Sequence, residues 1–553
     1  MLVADYLRDV LVPANVAVAA IQRAGLPIDM DQLRRTREAW QRELAEMEAY
    51  VEGEAAKVGV ALRYSEKHGV HPPKMAAFLF DGLGLAPGKL TEPTKTYPQG
   101  GRSTDAESLL EYASVNAPWT AERPGPNGQV DHPVVTAVLK IRSVAKGIGT
   151  YLDSFERTVR PDGACHPKYN WALRTSRLSA EDPPVHQIPE RSDPQVADGV
   201  KSCIVPRVKP CLVPGREGWD PRKHGSCGRW DIKGAEAAWR AAAITDHYGV
   251  RDPIAYDYIR LGKDIHSKTA SIIYDVPEGT YKSGSFERDS VGKPVFFGQI
   301  FGGSWKALKW QLWKDARIRI ADDEVKRIVA NFAKGYSGIA ALYEVDKVML
   351  GERMDVSATD GKGNVLSWCE DPYGRVRAVE IPRELADRFQ NGVWRSGYET
   401  DYELSKRLNH AFHVAANTPT QSANASDTLW MLALLYAGEY VELRVPPLWE
   451  QGGVPYPEAA GWAMHGGPGP GGKPFQAWHC NTVHDSGWFD CAPGYLEPTA
   501  KLITRRCTAL PQDWRLEADV PYRIELKVGP DMSDLRPYNA VAREFGLEEI
   551  QDR

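Results

Sequence analysis

Between residues 30 and 50 the apolar positions Leu33, Ala39, Trp40, Leu44 and Met47 recur at helical spacing among Arg and Glu side chains. That periodicity predicts an amphipathic helix or helix pair over residues 1–60, its outer face solvated. Residues 84–104, rich in Gly, Pro and Thr with several cations, read as loop. A second loop at roughly 115–132 leads into a helical stretch ending at Lys146 and Tyr151. From about residue 160 the texture shifts to short strands and turns. Residues 205–229 carry five prolines and glycines between Pro206 and Gly218 and read as a loop or insertion. Helical patterning returns over 233–275 and 290–350. The Gly/Pro-rich tract 451–474 is expected to be a long surface loop, followed by an alternating run from Phe475 to Val483 that predicts a strand. No internal repeat is evident. The expected class is α+β, with long helices and an antiparallel sheet.

Composition narrows this picture only slightly. A chain of 553 residues, 42% hydrophobic and 25% charged, is too long for one core and suggests several lobes. No run of about 18 apolar residues occurs, so no membrane partner is expected. The first residues, MLVADYLRDV, lack the basic-then-apolar pattern of a signal peptide. Eight scattered cysteines fit reduced thiols in a cytoplasm, the expected location. The net charge of −5, from 68 cations and 73 anions, does not exclude a nucleic-acid partner. A binding cleft needs only a local basic lining.

Two short segments carry candidate chemistry. One is Trp230-Asp231-Ile232-Lys233-Gly234-Ala235-Glu236, the other Val483-His484-Asp485-Ser486. Taken singly, Asp231 reads equally well as a helix cap and Asp485 as a hairpin-turn residue. In a third segment Lys293, Phe297 and Phe301 are spaced four apart and share one helix face. By itself that stripe could be core packing. Cys203, Cys211, His224 and Cys227 have no tight CxxC spacing, so loop thiols are a plainer reading than a zinc site.

Taken in order, the motifs resemble those of family A DNA polymerases, the DNA polymerase I family. Asp231 to Glu236 resembles the first palm motif, and Val483 to Ser486 the last. Lys293-Pro-Val-Phe-Phe297-Gly-Gln-Ile-Phe301-Gly302 is similar to the fingers motif. Thr175-Ser-Arg177-Leu-Ser179 with Gln187-Ile-Pro189, Asp264-Ile265-His266 and Asn417-Thr-Pro-Thr-Gln421 match further signatures. Gly101-Arg102-Ser103-Thr104 and Lys146 to Tyr151 resemble parts of the thumb.

The resemblance implies a right-hand polymerase, with an antiparallel palm sheet and helical fingers and thumb. It places the palm or thumb base at 1–30, the thumb at 31–155, the first palm part at 156–240, the fingers at 241–400 and the second palm part at 401–553. No room is expected for an exonuclease domain, so synthesis without intrinsic proofreading is implied, with a phage or viral origin and, if so, the host cytoplasm as location. The implied activity is template-directed DNA synthesis from deoxynucleoside triphosphates on primer–template DNA. Two Mg2+ ions, for which Mn2+ could substitute, would be held by Asp231, Asp485 and the Ile232 carbonyl. A separate exonuclease or processivity factor is a compatible partner.

The implied nucleotide contacts are Glu236 as a gate against ribonucleotides, with His266, Arg288, Lys293, Phe297 and Phe301. The implied DNA contacts are Arg177, Asn417, Gln421, His484, Lys146 and Arg102. Donors such as Arg177, Asn417 and Gln421 could test pair geometry through minor-groove acceptors without reading sequence. This chain also departs from the family. Asp289 stands where the family has Arg, with Arg288 one residue further back. Pro294 lies inside the fingers motif, a placement reconciled if Ser290 caps the helix and Arg288 lies in a preceding loop. Phe301 has no hydroxyl to offer Glu236, so packing is expected to hold the gate. Ser486 replaces the family's usual Glu. A single-subunit RNA polymerase and a non-catalytic DNA-binding protein on a degenerate polymerase fold are the rival readings.

Overall fold

The computed structural model describes residues 6–87, 90–91, 98–113, 120–121, 130–171, 177–189, 194–208, 210, 218–316, 318–390, 402–437, 455–483, 485–508 and 520–550. At its centre lies a five-stranded antiparallel sheet of β1 (Ser226–Ile232), β2 (Ala477–Val483), β3 (Ser486–Cys491), β4 (Ile524–Gly529) and β5 (Arg536–Pro537). Their order across the sheet is β5-β4-β1-β3-β2. Both faces of β1 and β3 are largely buried, which explains their nearly continuous apolar and small residues. Register is fixed by aromatic rings lying over glycines. Gly228 pairs with Phe489 and Gly487 with Trp230. A Cβ added at Gly228 would stand 2.2 Å from Phe489 Cζ, and one at Gly487 would stand 2.5 Å from the Trp230 ring. The glycines thus leave room for the rings that lock β1 against β3.

The region expected to form the thumb is built on α1 (Met30–Lys57) and α2 (Pro133–Lys146). Asp29 caps α1 by accepting from the Asp31 and Gln32 N–H groups, each at 2.9 Å. Leu33, Trp40, Leu44 and Val51 face Val135, Val138 and Ile141 in one core. Ala39, expected on that stripe, is exposed, and Thr36 takes the buried place.

The region expected to form the fingers contains α3 (Ile265–Tyr274), α4 (Lys293–Ile300) and α5 (Trp305–Ala316). Ile265, Ile273, Phe296, Ile300, Leu308 and Leu312 meet there in a separate core. The long helix α6 (Tyr402–Ala437) then runs back to the palm, where Trp430, Met431 and Leu434 pack with Trp230, Trp239 and Phe489.

Three expectations need correction. The strand β1 begins at Ser226, inside the stretch read as loop or insertion. Prolines and glycines upstream draw the loop boundary too far along the chain. The fingers are not wholly helical: Asp355–Thr359, Val365–Glu370 and Val376–Ile381 form a three-stranded antiparallel sheet. The described part of the Gly/Pro-rich tract is a surface loop only in part: Gly471 to Pro474 are exposed, but its first half packs inward. Tyr456, Ala459, Ala463 and Met464 are buried, and the Met464 N–H donates to the Leu435 carbonyl at 2.9 Å. The inward-packed residues are its apolar side chains, while Gly461, Gly466, Gly471 and Gly472 stay exposed in the turns between them. Among the described residues no helix is long and apolar enough to cross a membrane.

Candidate active site

The two aspartates are distant in sequence, yet antiparallel pairing brings them together. Asp231, next to last in β1, lies opposite Ser486 of β3, and the Ile232 N–H donates to the Asp485 carbonyl at 3.2 Å. On the other side of β1, Glu525 of β4 is registered with Asp231. Burial and the Asp485 charge push the Asp231 carboxyl up to about 7, against the pull of Arg229. Arg229 lies two residues back on the same strand face and donates to Asp231 Oδ2 at 2.8 Å. The motifs do not include Arg229, although its spacing of two on a strand is a usable signal.

Crowded carboxylates of this kind suit a hard divalent cation. Asp231 and Asp485 supply anionic oxygens, and Ile232 adds a backbone carbonyl. Among the described residues no three His, Cys, Asp or Glu side chains assemble into a closed metal cage. Two carboxylates and a backbone carbonyl are hard oxygen donors, the ligand type that Mg2+ takes alongside waters and substrate phosphates. His484 lies outside the described residues. Of the zinc candidates, Cys211 is also outside them. The Cys203 and Cys227 thiols are buried against the Gly199 and Ile204 carbonyls.

Glu236 lies five residues beyond Asp231, in the short helix Ala235–Ala237 that starts after a left-handed Gly234. Its Oε1 accepts from Arg177 Nη2 at 3.1 Å and from Gln421 Nε2 at 2.6 Å. Glu236, the expected gate, is therefore held by a charged hydrogen-bond network and not by packing alone. Phe301 cannot donate to it, so donors arrive from elsewhere. Asn417 and Gln421 stand one turn apart on α6, with His413 one turn earlier. His413 Nδ1 meets the Phe301 carbonyl at 3.2 Å, tying the end of α4 to the same helix face. Nothing in the local sequence of His413 separates it from a helix-surface histidine, so the motifs do not reveal it.

The fingers arrangement corrects the expected capping. Ser285, not Ser290, receives the first-turn N–H, with Arg288 N–H donating to its Oγ at 3.3 Å. The helix runs unbroken from Phe286, through a π turn over Glu287–Gly292, into α4. Arg288 is therefore helical and not in a loop. Lys293 N–H donates to the Arg288 carbonyl, the i→i+5 bond of a π turn. The extra residue between Arg288 and Lys293 is absorbed there, and the two backbones sit one turn apart. A widened turn also relieves the clash that Pro294 would cause in an ideal α-helix.

Arg288 is engaged by carboxylates: it contacts Asp264 at 3.0 and 3.1 Å and also pairs with Asp289. Against the cost of burial, Arg288 and Ser267 hold Asp264 down to about 2. Asp264 in turn caps α3, accepting from the His266 and Ser267 N–H groups at 3.1 Å each. Burial, with Lys293 and Arg288 nearby, lowers His266 to about 4, so its ring is neutral at pH 7. Its Nδ1 is buried without a hydrogen-bond partner, and its ring centroid lies 5.4 Å from that of Phe297. His266 and Phe297 line a cleft of about 370 Å3 together with Lys233, Gly234, Lys263 and Arg523. Lys233 lies within the first motif without a role assigned to it, and Lys263 and Arg523 add positive charge from outside the motifs.

The two thumb candidates are placed differently. Lys146 is exposed at the end of α2. Arg102 forms a bidentate pair with Asp81, both distances 2.6 Å, and lies over the Phe80 ring.

No family model matches the chain. Among curated proteins it is similar to DNA polymerase I of Bacillus subtilis, 24% identical over 343 residues, which cover 62% of this chain and 32% of that protein. The thermostable DNA polymerase I of Thermus aquaticus is 24% identical over 385 residues, covering 69% and 38% respectively. The DNA polymerase of Escherichia phage T5 is 28% identical over 204 residues, covering 36% and 20%. The chain thus spans about a third of the length of the Bacillus protein. In fold it resembles the POL domain of Pol1 from M. smegmatis, solved in complex with a DNA primer-template and dNTP. The TM-score is 0.62 at 18% identity, covering 96% of this chain and 71% of that one. In motif order, sequence and fold, the chain matches the polymerase region of the DNA polymerase I family, family A.

Proposed function

We propose that the chain is a template-directed, DNA-dependent DNA polymerase that adds deoxynucleotides to a primer 3′-hydroxyl and releases pyrophosphate. The observation that carries this reading is the placement of Asp231 on β1 and of Asp485 in the turn that leads into the adjacent antiparallel strand β3, beside a basic cleft. Asp231, Asp485 and the Ile232 carbonyl would hold two Mg2+ ions, which supply charge neutralisation at the attacking and leaving oxygens. The neutral His266 ring offers an N–H to a phosphate oxygen without a competing titration near pH 7. Lys233, Lys263, Lys293 and Arg523 supply charge complementary to a triphosphate. Phe297 offers a ring face to the incoming base or sugar.

Arg177 and Gln421 link pairing to sugar selection, because both reach Glu236. If they turn to a minor groove when DNA binds, the carboxylate beside the sugar is released only when a duplex is present. The reading includes synthesis without excision, in a phage setting. It is tested by primer extension with purified chain, Mg2+ and defined templates. Extension with deoxynucleotides, little with ribonucleotides, and loss in Asp231→Asn support it. Absence of any extension by folded chain would reject it. A mismatched primer incubated without nucleotides is expected to stay intact, and its shortening would overturn the excision-free part.

A further inference from the structure

A second cleft, about 700 Å3, opens between α5 of the fingers and the Ala106–Leu109 helix of the thumb side. It is lined by Lys306, Lys309, Trp310, Trp313, Ile318 and Arg319, with Glu107 and Glu111 on the facing wall. Its volume lies within the range of about 300–1,000 Å3 typical of ligand sites. None of these residues belongs to the motifs or to the candidate active site.

The helix α5 has two distinct faces. Leu308 and Leu312, one turn apart, are buried in the fingers core. Trp310 and Trp313, three residues apart, sit on another face and stack on each other with centroids 4.8 Å apart and planes inclined by 26°. Trp310 remains 46% exposed. Large aromatics displayed in a cleft are costly to hydrate and mark binding surfaces. Here cations flank them. Lys309 pairs with Asp322 at 2.5 Å and Arg319 with Glu111 at 3.4 Å, while Lys306 lies over the Trp305 ring.

We infer that this stacked tryptophan pair is a platform for unpaired bases of single-stranded DNA, namely the template strand ahead of the pairing position. Aromatic rings in a cation-flanked groove are the chemistry that holds single strands without reading sequence. A small apolar ligand would cover the rings but make no use of the exposed Lys306 beside them. Placement favours the template: α5 begins at Trp305, shortly after α4 ends at Ile300, and α4 carries the nucleotide-facing candidates. The assignment to the template rests on the polymerase reading; the stacking chemistry does not.

The test is equilibrium binding of the full chain to fluorescent primer–template hairpins. One hairpin is blunt, one carries a short 5′ template overhang, one an abasic overhang of equal length, and one a displaced 5′ flap. Wild type is expected to bind the base-bearing overhang about tenfold more tightly than the blunt or abasic forms. Trp310→Ala with Trp313→Ala should remove that advantage, with the fold verified by circular dichroism. Trp310→Phe should keep most of it, and the exposed-site variant Lys306→Glu should weaken overhang binding and flatten its salt dependence.

Equal binding of base-bearing and abasic overhangs by wild type would overturn the platform. So would an unchanged preference in the folded alanine pair. A preference seen only with the flap would overturn the template assignment. Primer extension is run alongside. Intact extension with no tryptophan effect would reject this inference alone, whereas overhang preference without extension would reject the polymerase reading alone.

Discussion

On the palm, Asp231, Asp485 and Glu525 gather around a strand end with Arg229 as the cation that reaches Asp231. On the fingers, Arg288 is met by two carboxylates, Asp264 and Asp289, and His266 is kept neutral. The palm is thus short of positive charge, while the fingers neutralise part of theirs internally. A site short of positive charge has something to gain from a divalent cation. A neutralised site can be built stably and can still exchange an internal carboxylate for a phosphate. The difference also follows backbone type. Antiparallel register forces Asp231 and Asp485 together however unfavourable their repulsion, whereas a helix can adjust its phase by a turn.

The largest effect expected from breaking this contrast is at the palm. Asp231→Asn should lower primer extension about a thousandfold or more. The same change should stabilise the metal-free chain. The Asp231 carboxyl is raised to about 7, above its unfolded value, so the folded state binds more protons between roughly pH 4 and 7. Stability due to this group is then present at low pH and lost as pH rises through about 7. Urea unfolding at pH 8 without metal should show Asp231→Asn more stable by about 2 kcal/mol, with the gain vanishing below about pH 4. A destabilised variant at pH 8 would contradict the crowding described here.

Next comes the gate between palm and fingers. Glu236→Ala should relax discrimination against ribonucleotides by about a hundredfold, within the range a lost specific contact produces. It also strands Arg177 and Gln421, so affinity for primer–template should change in the same variant. Unchanged ribonucleotide rejection would show that Glu236 is only a structural acceptor. Smaller again is Lys293→Ala, expected to raise the KM for nucleotide about tenfold with kcat less affected. An unchanged KM would remove the fingers from nucleotide binding.

Much of this architecture is legible in the amino-acid sequence. The order of motifs names the palm pair, the fingers helix and α6, because each motif is short and locally encoded. The links between motifs are not legible. Arg177, Gln421 and Glu236 are 59 and 185 residues apart in their pairings, and no local pattern announces who bonds whom. Arg523 and Lys263 join the cleft by tertiary packing alone. The buried tract around Met464 reads as surface loop because glycine and proline report backbone freedom, not exposure. The fingers sheet escapes notice because Val365–Glu370 and Val376–Ile381 are short strands within a chain region whose longer segments are helical.

Arg288 is the case where a local rule fails for a local reason. A spacing of five from Lys293 looks wrong for an α-helix, which is why the pattern predicts a cap at Ser290 with Arg288 outside the helix. The π turn over Glu287–Gly292 makes five the bonded spacing instead. Deleting Asp289 probes this directly, because it leaves Arg288 four residues before Lys293, the spacing of a regular α turn. The helix should close, with Arg288 and Lys293 still one turn apart. Asp289 supplies only exposed contacts, to Arg288 and to the Gly284 N–H at 3.0 Å. Their loss should cost about 1 kcal/mol or less. The deletion variant should therefore keep its nucleotide KM within about threefold of wild type, against the tenfold of Lys293→Ala. A deletion variant as impaired as Lys293→Ala would mean that the π turn sets the direction of these side chains as well as their spacing. The widened turn would then be a working part of the site and not an absorbed insertion.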